Sequence, residues 1–145
     1  MITLALLNQM VSDGVGGLTK NKDFFWEEMP LQKDGKPAQG VWIVTRPGSS
    51  AGRNGKNLRT TADFYVAFAN KAKTEAIHKA IRSYLMNNLC FCELSGSIDG
   101  TSYTYSFDNV RLQGATTPQN DGVTENGLIV KVASVSLVYD ENINE

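Results

Sequence analysis

The spacing of apolar residues changes abruptly at Asn70. Before it, Phe64, Val66 and Phe68 alternate with Tyr65, Ala67 and Ala69; after it, Ile77, Ala80, Ile81, Tyr84 and Leu85 fall in one stripe at helical spacing. A period of two puts successive side chains on opposite faces of a strand, and a period of 3.6 gathers them on one side of a helix. The chain must therefore carry an aromatic-rich strand that feeds into an amphipathic helix over 73–87, with Glu75, Lys79 and Arg82 facing away from the stripe. Glu75 and Lys79 stand four apart in the favourable order, and Asn87-Asn88 ends the helix.

The rest of the chain is read around that junction. Residues 2–12 predict a short helix with Leu4, Leu7 and Val11 as its stripe and Asp13-Gly14 as its stop. Residues 14–40 read as irregular, with Phe24-Phe25-Trp26 packed on the core, since three adjacent exposed aromatics would be a liability. VWIVT (41–45) predicts a strand ended by Pro47-Gly48, and with the strand before Asn70 it forms an extended hairpin. LCFCEL predicts a strand, Ser95–Thr101 a turn, YTYSF (103–107) a strand running on towards Leu112, and Leu128–Tyr139 a final β run. This order indicates an α+β fold over a single domain, 1–145: a mostly antiparallel sheet of four to five strands packed by two helices. Two long polar segments, 46–60 and 114–127, exceed what a simple connector needs and point to function.

Composition removes several classes. With 145 residues, 41% hydrophobic content and a formal charge of −1, the chain is neither disordered, nor collagenous, nor a globally basic nucleic-acid coat. The first 14 residues lack the basic start and small-residue cleavage site of a signal peptide, and no stretch reaches the ~20 apolar residues of a spanning helix. No membrane partner is expected. Cys90 and Cys92 stand two apart on one strand face, a poor arrangement for bridging, and read as reduced core thiols in a cytosolic setting. His78 lies at the margin of the helical stripe, with no second His to help it hold zinc. GSSAGRNGKN (48–57) fails as a phosphate-binding loop at both ends: Ser50 stands where Gly is required, and Asn57 follows Gly55-Lys56 where Ser or Thr is required. No catalytic pair, cofactor or metal is expected, and the chain is read as a non-enzyme.

Charge is more informative by region. Residues 46–82 carry eight basic and two acidic groups, whereas 93–145 carry two basic and eight acidic groups. One half is thus +6 and the other −6, a pattern suited to head-to-tail self-association. Within the basic half, the loop 46–60 presents Arg46, Arg53, Lys56 and Arg59 as candidate interaction residues. They would contact carboxylates of a neighbour or, in an alternative reading as a small nucleic-acid-binding domain, phosphates; the loop has no aromatic on which bases could stack.

The succession of an N-terminal helix, VWIVTR, TTADFYVAFA, KAKTEAIHKAIRSYL, YTYSFDNVRLQG and GLIVKVASVSLVYDEN resembles the tail terminator (tail completion) proteins of long-tailed bacteriophages over most of the chain. The resemblance implies a structural virion protein, assembled in the host cytoplasm, that forms a ring, usually hexameric, at the head–tail junction. Its implied partners are further copies of itself, the tail tube protein and the head–tail connector protein, with DNA passing through the ring without sequence-specific binding. It implies no catalytic residues. Another neck or tail ring component, a head-closure or tube protein, is the alternative within the same class. The loop 46–60 is then expected to be a docking arm.

Overall fold

The computed structural model describes residues 2–28, 39–46, 56–87, 93–112, 122–123 and 127–144. In chain order these form helix α1 (Ile2–Ser12), a 3-10 turn (Val15–Gly17), strands β1 (Phe24–Trp26), β2 (Gly40–Thr45) and β3 (Leu58–Phe68), helix α2 (Lys71–Asn87), and strands β4 (Glu93–Ile98), β5 (Thr101–Leu112), β6 (Gly122–Val123) and β7 (Ile129–Asn144). The strands make one sheet in the order β1-β2-β3-β7-β5-β4, with β6 paired to β7. All pairings are antiparallel except β1 with β2. The α+β class expected from the sequence holds, with more strands than the four to five expected. The additions are β1 and β6, only three and two residues long, which periodicity cannot register.

Strand β7 is the spine of the sheet. Its 129–139 half pairs with β3 and its 135–144 half with β5, so only 135–139 are bonded on both sides. Such a stagger tilts neighbouring strands and curls a sheet, as in a partly closed barrel. The ladder between β5 and β7 shifts register between Phe107 and Asn109, leaving Asp108 as an extra residue; Tyr103, Tyr105 and Phe107 before the bulge are buried.

The curl explains α1. This helix packs on β1 and β2 at one end of the strand order and on β4 at the other, while α2 covers β3, β7 and β5. Enclosed on several sides, α1 buries Ile2, Thr3, Ala5, Leu6, Leu7 and Met10. Its eleven residues carry no charge, which permits that position. The stripe expected from the sequence is therefore corrected: Leu7 is buried, but Leu4 and Val11 are only half-buried, and Leu6 and Met10 are fully enclosed in their place. Phe24 and Phe25 join the core as expected, whereas Trp26 stays 41% exposed and donates its indole N–H to Thr3 Oγ1 at 2.8 Å. Next to it, Glu27 adopts a left-handed φ of 67° and accepts a bond from the Thr45 backbone N–H at 3.2 Å, tying the end of β1 to the end of β2.

Helix α2 starts where Asn70 caps it. The Asn70 Oδ1 accepts the Lys73 N–H at 3.2 Å, supplying one of the bonds that the first turn lacks. The buried side chains Ile77, Ile81, Tyr84 and Leu85 match the expected stripe, and the Tyr84 hydroxyl donates to Asp13 Oδ2 at 2.7 Å.

The expected turn across Ser95–Thr101 narrows to two residues. Asp99 and Gly100 take φ of 52° and 83°, the left-handed pair that matches strand twist in a tight hairpin, so Ser95–Ile98 belong to β4. Gly96 stands opposite Tyr103, and a Cβ there would lie 2.7 Å from the tyrosine oxygen. The expectation for Cys90 and Cys92 lies outside the described residues.

Candidate interaction surface

Two of the four basic residues singled out from the sequence are already engaged within the chain. Arg46 follows β2, held by its backbone N–H to Thr61 O at 2.8 Å. Cross-strand registers align Val44, Asp63 and Ser134 in one row, so Asp63 lies on the sheet face away from the helices, within reach of Arg46. The guanidinium grips that carboxylate with two bonds of 2.8 Å, Nε to Oδ2 and Nη2 to Oδ1. Ser134 Oγ adds a further bond to Oδ1. This hydrogen bonding, partly opposed by desolvation, holds the guanidinium above its ordinary pKa. Arg46 was expected to wait for a partner's carboxylate; it has one on the adjacent strand, because a hairpin register brings 46 and 63 together.

Lys56 lies 3.7 Å from Asp140 Oδ2, and the Asn57 N–H donates to Asp140 Oδ1 at 2.9 Å. Arg59 is not in a loop: it stands in β3 opposite Val138, with an exposed side chain. Arg53 lies outside the described residues, as does most of the proposed arm. Arg46, Lys56 and Arg59 thus mark one end of the β2–β3 hairpin.

A second feature on the outer sheet face escaped the sequence reading. Trp42 and Tyr65 stand opposite each other across β2 and β3 and stack with ring centroids 4.8 Å apart and planes 13° apart. They pack with Ala67, Leu128, Val130 and Val132 as a small apolar cluster separate from the main core. The signal was present, since Tyr65 and Ala67 are the alternate set of the β3 pattern, but only pairing with β7 shows that this set also packs.

Charge divides between elements. On α2, Lys71 and Lys79 are exposed and Arg82 half-buried, and Met86 is 58% exposed at the end of the same line. Lys73 leans over the Phe68 ring at 4.5 Å, and Glu75 lies 3.8 Å from Lys131. Across the fold, Glu93, Asp99 and Asp108 are exposed on β4, its turn and β5. His78 donates from Nε2 to the Val132 carbonyl at 3.0 Å, a bond between α2 and β7. Among the described residues no three His, Cys, Asp or Glu side chains converge as a metal site, and no helix is long and apolar enough to cross a membrane.

These features offer charge, a stacked aromatic pair and exposed strand backbone, which are means of binding another macromolecule. No protein-family model matches the chain, and no curated protein matches it significantly.

Proposed function

We propose that this protein is a ring-forming structural subunit of a phage tail, a tail terminator that caps the tube at the head–tail junction and joins it to the head connector. The observation that carries the reading is the division of charge: Lys71, Lys79 and Arg82 on the exposed side of α2, against Glu93, Asp99 and Asp108 on the β4–β5 hairpin. A surface with opposite charges on different elements favours contact of one copy with a different face of the next, and repeated contacts of that kind close into a ring when the rotation allows. The element order, with two helices on one side of a mostly antiparallel sheet, supports the same class. The nucleic-acid reading has less support, because Arg46 and Lys56 are engaged by Asp63 and Asp140.

The test is particle imaging of the purified protein at low and high salt, together with capping of isolated tail tubes. Closed rings that weaken at high salt, and tubes that stop elongating when the protein is added, are expected. A protein that stays monomeric at every salt and protein concentration, and also with tubes present, overturns the reading. Rings that join heads without capping tubes assign it to head closure instead.

A further inference from the structure

One end of the strand order is closed and the other is open. At β1, the Phe24 N–H donates to Thr19 O at 3.1 Å and its carbonyl accepts the Asn21 N–H at 2.9 Å, so the chain's own turn occupies that edge. At β4, only one side is paired, to β5, over six consecutive residue pairs with no register shift. Ser95, Gly96 and Ser97 are all exposed. Sheets protect such edges with lysine, proline or a bulge, and β4 (ELSGSI) has none of these.

The charges at its two ends select what can pair there. Glu93 begins the strand and Asp99 follows its last residue, both exposed. If β4 paired antiparallel with β4 of a second copy, centred on Gly96, Glu93 of each copy would face Asp99 of the other. Like charges directly opposite are destabilising, so the symmetric pairing is disfavoured. A strand carrying positive charge suits the same edge. In this chain the basic residues that belong to strands rather than to α2 are those at the end of the β2–β3 hairpin, Arg46, Lys56 and Arg59, and Arg59 has an exposed side chain on β3 itself.

We infer that the open edge of β4 is the acceptor for a second copy of this chain, which adds the basic end of its β2–β3 hairpin to the sheet. This rests on the ring reading above and names the surface through which successive copies join.

Hydrogen exchange of the full chain, compared between dilute monomer and assembled particles, reads the edge directly. Amides of 93–98 are expected to gain protection on assembly; rings whose β4 exchanges as fast as in the monomer overturn this inference while leaving ring formation intact. Charge reversal supplies the second arm, with circular dichroism verifying that these surface variants fold. Glu93→Lys is expected to weaken assembly about three- to tenfold, and adding Arg59→Glu to restore it. If Glu93→Lys strengthens assembly, β4 pairs with itself and the proposal is wrong. A chain that never assembles overturns the ring reading and this inference together.

Discussion

Arg46 and Asp63 form a two-pronged ion pair across the β2–β3 hairpin, with both nitrogen–oxygen distances 2.8 Å. The acid is nearly enclosed, its side chain 9% exposed, while the base is 46% exposed. The pair is therefore asymmetric: losing Arg46 leaves a buried carboxylate short of donors, whereas losing Asp63 leaves a cation that water can reach.

The expected consequence is that Arg46→Ala costs about 1–3 kcal/mol in urea unfolding, below the cost of breaking a fully buried pair. Arg46→Lys should recover only part of the loss, since an ammonium cannot present two parallel donors. A double-mutant cycle with Asp63→Asn measures the coupling, and a coupling near zero would show that the pair is a surface ornament.

Enclosure of α1 within the curl gives a second prediction. Leu6→Ala, at a position with 0% exposure, should cost about 2–5 kcal/mol, and Leu4→Ala, half-buried, clearly less. Equal losses at the two positions would mean that the helix packs by its sequence stripe and is not enclosed.

The aromatic cluster of β5 and β7 contains one orphan. The Tyr105 hydroxyl is buried without a hydrogen-bond partner, whereas the Tyr139 hydroxyl and Thr60 Oγ1 lie 2.9 Å apart. Tyr105→Phe should leave thermal stability unchanged or raise it by up to about 1 kcal/mol, and Tyr139→Phe should lower it by about the same amount. A clear loss in the first variant would reveal a partner for that oxygen.

The same tyrosines set an alkaline limit. Burial pushes the hydroxyls of Tyr103, Tyr105 and Tyr139 above the ordinary tyrosine range, with Glu141 adding to the effect at Tyr105 and Tyr139, while the bond to Thr60 pulls Tyr139 partly back. The folded chain then holds protons that the unfolded chain releases. This contribution to stability is complete below about pH 10 and falls as pH rises through the folded values. Unfolding monitored by circular dichroism should coincide with late phenolate absorbance, and Tyr105→Phe should move the midpoint to higher pH. Stability that is flat from about pH 9 to 11.5 would contradict this.

Sequence alone determined the parts governed by neighbours along the chain. The stripe of Ile77, Ile81, Tyr84 and Leu85 and the buried set Phe64, Val66 and Phe68 lie where their spacing puts them, because a regular backbone converts period directly into facing. The Asp99-Gly100 turn was legible too, although its two-residue width was not, since Gly96 reads as a breaker until Tyr103 is seen to lie over it. Tertiary structure decided what depends on distant residues. Whether Leu4 or Leu6 is enclosed follows from both ends of the strand order meeting α1, and the partner of Arg46 follows from a register that also sets Asp63 beside Ser134, 71 positions away. The open edge of β4 belongs to the same category, for an edge is defined by the strand that is missing beside it. Local periodicity carries no term for pairing across such separations, so those features exist only once the sheet has closed around the helix.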